Sequence, residues 1–548
     1  METECKAATA EQHNPDTQHI EDLFRPQITE GNKEKQVASV SFQNALAQEQ
    51  LNPWCRSSFA LYGVIVVTTL NCCMNGFDGT LMSSINAMPY FHSHFGTAME
   101  GSGTGLLFSI YSFGNLVGAA FAGPLSDLFG RRIGMFTGSL FIVLGAILEA
   151  VASDVKLFMG GRFLIGLGVS LTNAAAPVYL VEVAFPQWRG LFGGLYNVCG
   201  YYIGAIVCTW TSYGTGFLAS NWSWRAPVIV QTVPSLIIIS TVFLLPESPR
   251  WLWAAGKQEQ ARKMLVKYHG SGKEDSPLVN WECAQIEEDY HFEIETGGRR
   301  WWDFKALFDT KANIYRLWLI FLVSVFSQFI GGSVISYFMP VMLENAGITS
   351  PSQQLLMNAI NTVLSFISGL IGTLFVDRWG RRQMFLWGTF ITGLIYIPIN
   401  VLASFPLPDI TQSMGYGFIA CLFLYGIVFA FTWSTLQALY PAEILPNNVR
   451  AKGMAFQGVI SAAANFVNFY ATPTALKSIG WKMYTIFLVF HFIEFTLMFF
   501  TLPETKGRSI EEITHIFHSS NPVKESLRKT TITVYEKDGV KEVAADMS

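Results

Sequence analysis

The sequence predicts an all-α membrane protein: twelve spanning helices in two pseudo-symmetric bundles of six, with a small helical cluster outside the membrane. Three observations carry that prediction. Hydrophobic residues make up 51% of the 548-residue chain and charged residues only 14%, with 44 Phe, whereas a soluble domain carries about 25% charged residues. The apolar residues come in blocks near the roughly 20 residues that cross a bilayer. The turn "GPLSDLFGRR" (123–132) is repeated, nearly unchanged, as "GTLFVDRWGRR" (372–382) in the second half of the chain.

Residues 1–55 are polar and lack the apolar core of a signal peptide, so they read as a disordered cytosolic tail. Residues 56–247 form the first bundle, with spans at 59–88, 104–123, 133–152, 157–181, 193–213 and 226–245. Residues 248–313 form a loop with short helices, where "KQEQARKMLVKYH" is amphipathic, "IEEDYHFEIE" is acidic, and Trp301 and Trp302 suit a surface helix. Residues 314–503 form the second bundle, with spans at 314–343, 355–376, 383–403, 415–440, 453–474 and 482–502. Residues 504–548 form a polar cytosolic tail without a folded domain. Lipid offers a free amide or carbonyl no partner, so every span is expected to be helical. The eight Cys are scattered and show no metal or disulfide spacing, so they read as packing residues. Asn221-Trp222-Ser223 is a sequon too close to a span for ready modification.

Lys and Arg set the orientation. Arg131, Arg132, Arg189, Arg378, Arg381, Arg382, Arg450 and Lys452 all fall on one side, while the opposite loops "PYFHSHFGTAMEGSG", "ENAGITSPSQQ" and "SFPLPDITQSMG" hold no Lys or Arg. Both termini are therefore expected in the cytosol. Two further signals repeat in the same order: "YLVEVAFPQWRG" with "YPAEILPNNVRAKG", and "PESPR" with "PETKGR". Repeated halves of this kind place a site near the midplane between them. The repeated charges are Asp127, Arg131, Arg132, Glu182, Arg189, Glu247 and Arg250 in one half, and Asp377, Arg381, Arg382, Glu443, Arg450, Glu504 and Arg508 in the other. They are expected to latch the cytosolic mouth. The alternative is positive-inside anchoring plus helix capping.

These motifs, with "GRFLIGLG" and "PVYLVEVAFPQWRG", resemble the sugar porter branch of the major facilitator superfamily over about residues 59 to 508. "GFDGTLMSSI", "SNWSWRAPVIVQ", "LVKYHGSG" and "NPVKESL" look more narrowly like fungal lactose and cellodextrin permeases. The resemblance implies the major facilitator fold and a plasma-membrane carrier that moves a sugar, often with a proton. It also implies that Asp78 in span one and Arg162 in span four are the coupling pair. A carboxylate inside a membrane is costly and usually functional. The alternative is a static pair holding the two spans together. Glu149 and Glu344 read as reaching the outer interface, and Glu494 with His491 as a packing pair.

A sugar requires amides and hydroxyls at its rim and an aromatic platform. In span seven, "SVFSQFIGGSVISYFMP", Gln328, Gly331, Tyr337 and Pro340 keep the pattern that the resemblance implies, while Ser327 and Ser333 depart from it. The Gly331-Gly332 pair and Pro340 predict a broken, bendable helix. Asn197, Gln328, Gln437 and Asn465 are candidate hydroxyl partners, and Tyr337 and Trp433 candidate platforms; each could instead be glue between helices or an interface marker. The short side chains at Asn197, Ser327, Ser333 and Ala438 widen the expected cavity toward a disaccharide such as lactose or cellobiose. No phosphate loop, metal cluster or nucleophile–base set appears in the sequence. The expectation is therefore no enzyme, no nucleic-acid partner and no cofactor, with protons as the coupling ion and sugar and lipid bilayer as partners. A same-fold sugar sensor and a passive uniporter are the alternatives.

Overall fold

Each apolar block folds as a helix that satisfies its own backbone, and charged turns mark where the chain leaves the apolar layer. The computed structural model describes residues 54–99, 101–270, 272–295, 305–345, 347–405, 411–508, 510–528, 530–537 and 540–547. The first half contains α1 (Arg56–Asn86), a short α2 (Pro89–Phe95), α3 (Ser102–Phe129), α4 (Arg131–Ala150), α5 (Val155–Val183) and α6 (Arg189–Thr215). Its last span is in two pieces, α7 (Trp222–Val230) and α8 (Thr232–Thr241). Three helices follow outside the bundle: α9 (Pro249–Ala254), α10 (Gln258–Tyr268) and α11 (Pro277–Glu295). Trp301 and Trp302 lie outside the described residues.

The second half opens on a broken span, α12 (Lys311–Phe329) and α13 (Gly332–Asn345), as the Gly-Gly pair predicts. Gly331 sits at the break with φ +96°, a conformation that favours glycine. The freed carbonyls find partners, since Tyr425 Oη donates to Ile330 O at 2.8 Å and Tyr396 Oη to Gly331 O at 3.3 Å. Next come α14 (Pro351–Trp379), α15 (Arg381–Ala403) and α16 (Gln412–Phe429). A π-helical turn, Ala430–Ser434, joins α16 to α17 (Thr435–Ile444). The half closes with α18 (Asn447–Ile479) and α19 (Lys482–Thr501), followed by α20 (Ile510–His518) and α21 (Pro522–Ser526).

The tail expected to lack folded structure ends in a hairpin, in which β1 (Thr530–Lys537) pairs antiparallel with β2 (Val540–Met547), Thr530 opposite Met547. Apart from that hairpin, the described elements are helical, and ten spans are long and apolar enough to cross a membrane. α6 and α18 complete the twelve. Both face the opposite half, α6 against α14 and α18 against α3, and so show less surface to lipid.

The core fixes how the halves meet. At the end away from the Gly-Arg-Arg turns, hereafter the far end, one cluster mixes the halves: Phe77, Leu81, Ile85 and Phe108 pack with Val334, Phe338, Met339 and Phe469. Phe108 and Phe338 ring centroids are 4.9 Å apart. At the charged end two clusters stay separate. One holds Tyr179, Val183 and Phe185 with Leu265 and Leu278 of α10 and α11; the other holds Tyr440 and Ile444 with Ile513 and Phe517 of α20. The apolar seal between the halves therefore lies at the far end.

Candidate functional site

The repeated motifs build two nearly identical charge networks. In the first half Arg131 donates to Glu182 through Nε at 3.1 Å and Nη2 at 3.2 Å, and through Nη1 to Asp127 at 2.9 Å. In the second Arg381 donates to Glu443 through Nε at 3.0 Å and Nη2 at 2.7 Å, and its Nη1 lies 2.9 Å from Asp377. Ser248 Oγ donates to Glu182 at 2.5 Å, and Thr505 Oγ1 to Glu443 at 2.7 Å. Arg132 donates to Phe243 O at 2.6 Å and Arg382 to Phe499 O at 2.6 Å. Tyr179 reaches Pro246 O at 2.5 Å and Tyr440 reaches Pro503 O at 3.1 Å. Glu247 and Glu504 accept from the next residue's backbone N–H, each at 2.9 Å. Burial pushes the Glu247 carboxyl up, against the opposing pull of that N–H and Arg132.

In this conformer these ion pairs close inside each half: Asp127–Arg131 and Asp377–Arg381 lie four residues apart on consecutive helix ends, and Arg131 and Arg381 reach Glu182 and Glu443 of their own half. Arg189 and Arg450 each cap a carbonyl five residues back, Ala184 O at 3.1 Å and Leu445 O at 3.3 Å. Arg189 also pairs with Glu282 of α11 at 2.7 Å, docking the extramembrane helices under the first half, and Arg250 of α9 pairs with Asp289 of α11 at 2.9 Å. Burial pushes the Glu282 carboxyl up, but His269 at 2.6 Å and Arg189 outweigh it and hold it below the usual carboxylate range. Arg508 donates to Ser526 O at 2.8 Å and Arg528 O at 2.9 Å, which fastens the tail.

Toward the far end, Asp78 of α1 and Arg162 of α5 form a direct ion pair, each 1% exposed. Glu149 of α4, expected at an interface, is instead wholly buried beside them, 4.0 Å from Arg162 Nε. Close helix contact draws it inward: a Cβ on Gly161 would lie 2.6 Å from both Glu149 Cγ and Gly145 O. Glu494 and His491 are buried within the second half, where the His491 ring lies 4.9 Å from that of Tyr396.

Polar side chains lie in stripes on α14 and α18, two helices that pack against the opposite half. On α14, Gln354, Asn358, Asn361, Ser365 and Ser368 are all buried at alternating four- and three-residue spacing, hence one face. On α18, Gln457, Ser461, Asn465 and Asn468 share a face by the same geometry. Asn468 donates to Gln328 O at 2.6 Å, and Gln457 to Gln437 O at 2.7 Å. Asn358 reaches Ser84 across the halves at 3.4 Å, as Tyr202 reaches Ser434 at 3.5 Å. The amide oxygens of Asn361, Gln457 and Asn465 are buried without a protein partner. Of the expected contacts, Gln328 is half-buried, donating to Ser327 Oγ at 3.1 Å, and Ser327 is buried. The side chains of Asn197, Ser333 and Tyr337 lie outside the described residues. Trp433 is not a platform: its ring is wholly buried inside the second half against Phe385, and its Nε1 donates to Thr389 at 3.1 Å. Sequence reasoning passed over Asn358, Asn361, Gln457 and the burial of Glu149. The regular polar spacing on spans eight and eleven was the available signal.

Two six-span halves with duplicated charge networks, a buried polar seam and an apolar seal at one end define a transporter of the major facilitator type. The chain belongs to the family described as "Sugar (and other) transporter", whose model matches residues 64–517. It is 29% identical to high-affinity glucose transporter 1 of Candida albicans over 481 residues, covering 85% of this chain and 87% of that one. It is 28% identical to a probable quinate permease of Aspergillus fumigatus, covering 87% and 90% of the two chains. Among solved structures, the fold matches the partially occluded inward open conformation of the xylose transporter XylE from E. coli. That match has a TM-score of 0.69 at 21% identity and covers 82% of this chain and 100% of that one. These relatives support a sugar transporter rather than an enzyme, and they do not single out the lactose and cellodextrin permeases.

Proposed function

We propose that this protein is a plasma-membrane symporter that moves a disaccharide, of the lactose or cellobiose type, together with a proton by alternating access. In this reading the charged end and both termini are cytosolic, so the far-end seal makes the conformer inward-facing. The buried Asp78–Arg162 pair carries the coupling. It lies on α1 and α5, and α1 also supplies Phe77 and Leu81 to the seal. A movement that opens the seal therefore alters the surroundings of a buried ion pair, and protonation and sugar binding become linked. One charge crossing about 100 mV yields roughly 2.3 kcal/mol, and two pH units add about 2.7 kcal/mol. Together they support a sugar gradient on the order of a thousandfold.

The polar stripes on α14 and α18 support a polar ligand, because the amide oxygens of Asn361, Gln457 and Asn465 are buried without a protein hydrogen-bond partner. Short side chains at Asn197, Ser327, Ser333 and Ala438 support a larger sugar. The test is uptake of labelled glucose, lactose and cellobiose into vesicles holding the purified protein, with and without an acid-outside gradient. Disaccharide uptake raised by the gradient is expected. Uptake of glucose alone would overturn the substrate reading, and a flux indifferent to the gradient would make the protein a uniporter. Binding with negligible flux would make it a sensor.

A further inference from the structure

The coupling pair has a third member. Two carboxylates, Asp78 and Glu149, flank one guanidinium, Arg162, and all three side chains are 0–1% exposed. Glu149 Oε1 lies 4.0 Å from Arg162 Nε, while Asp78 Oδ1 holds Nη1 directly. Neither Glu149 oxygen nor Asp78 Oδ2 has a hydrogen-bond partner in the protein. The charged groups facing Glu149 are Arg162 from α5 and Asp78 from α1. Tyr111 of α3 lies over the guanidinium, 4.9 Å from ring centroid to Arg162 Cζ. α7, packed against α4, brings Arg225, whose guanidinium lies over the Trp224 ring at 5.1 Å. Asp154 and Lys156, at the start of α5, are exposed.

Fully ionised, the cluster would carry one uncompensated negative charge in a buried interior, which membrane proteins avoid. One proton removes it. We infer that Glu149 is a second proton-binding residue, and that it shares a single proton with Asp78 around Arg162. In the conformer described, Asp78 is the ionised partner of Arg162 and Glu149 holds the proton. When Asp78 takes the proton and releases the guanidinium, Glu149 is near enough to replace it, so Arg162 is never stranded. Gly145 and Gly161 make the arrangement possible by bringing α4 and α5 close enough to seat Glu149 against Arg162.

The sharing itself does not depend on the symport reading; its effect on transport does. The first test is infrared difference spectroscopy of the purified full-length protein at neutral pH, following the carbonyl stretch of protonated carboxyl groups. Each variant is subtracted from wild type, so other buried carboxyls such as Glu494 cancel. Both Glu149→Gln and Asp78→Asn leave one carboxylate for one guanidinium, and each is expected to lose one protonated carboxyl. A band lost in E149Q but kept in D78N would show Glu149 to be a permanently neutral packing group and overturn the inference. So would a band kept in both. If E149Q fails to fold, D78N alone decides between loss and retention. The second test is the pH dependence of uptake in vesicles. In E149Q, protonating Asp78 strands Arg162, so half-maximal uptake is expected to need at least tenfold more protons. A wild-type flux indifferent to pH would refute symport, and the infrared result would still decide the shared proton.

Discussion

Replacing Gly380 by Ala tests the duplicated charge network at the position where backbone and electrostatics meet. Gly380 joins α14 to α15 with φ +94° and ψ 155°, a region that only glycine occupies freely. Holding another residue there costs about 1–3 kcal/mol. A Cβ would also lie 2.6 Å from Glu504 Oε2. That carboxylate accepts from the backbone N–H of Arg381 at 2.9 Å and of Arg382 at 3.1 Å. Displacing it forfeits hydrogen bonds to a charged group, each worth about 1.5–3 kcal/mol. The strain and the loss of both bonds together give an expected cost of about 4–9 kcal/mol for Gly380→Ala. Gly130→Ala should behave alike, since Gly130 has φ +103° and its Cβ would lie 2.7 Å from Glu247 Oε2. Gly123→Ala is the control: it lies inside α3 with nothing within 4 Å of the added methyl. Thermal unfolding of the detergent-purified protein reads all three. A Gly380→Ala variant as stable as the Gly123→Ala control would refute the reasoning.

Trp433→Phe should lower stability by about 1–2 kcal/mol through loss of the bond to Thr389 and leave the KM for sugar within about twofold; a large KM increase in a stable variant would restore Trp433 to the binding site. Asn465→Ala should raise KM about tenfold, the value of roughly one hydrogen bond to sugar, with maximal flux preserved; an unchanged KM would assign Asn465 to helix packing. The Glu282 carboxyl is held below its usual range in the folded state. Its stabilising contribution is therefore present above the unfolded value of about 4.3 and lost as pH falls through the lower folded value. Protection of α10 and α11 from limited proteolysis should weaken over that acid window in wild type and lack this pH dependence in Glu282→Gln, whereas identical profiles would contradict the docking role.

The duplicated motifs were legible because each spells out a local geometry. Gly130 and Gly380 need positive φ, and Asp127–Arg131 and Asp377–Arg381 need only one turn of helix to meet. The broken span seven was legible for the same reason, in Gly331-Gly332. What could not be read locally was partnership set by tertiary packing. Arg189 goes to Glu282, far along the chain, because α10 and α11 fold back under the bundle. Trp433 was misplaced for a different reason. The π turn at Ala430–Ser434 inserts an extra residue, which shifts the helical phase by about 100° relative to α17. Glu149 was read as interfacial because it stands near the end of its span. Only the close approach of Gly145 and Gly161 shows that it faces Arg162.

The most direct test of coupling through Asp78 is a comparison of uphill accumulation and equilibrium exchange in the Asp78→Asn variant, reconstituted beside wild type. The account predicts that an acid-outside gradient no longer concentrates sugar in the variant, while exchange of labelled for unlabelled sugar continues in part. Accumulation equal to wild type would remove Asp78 from the mechanism and contradict the account.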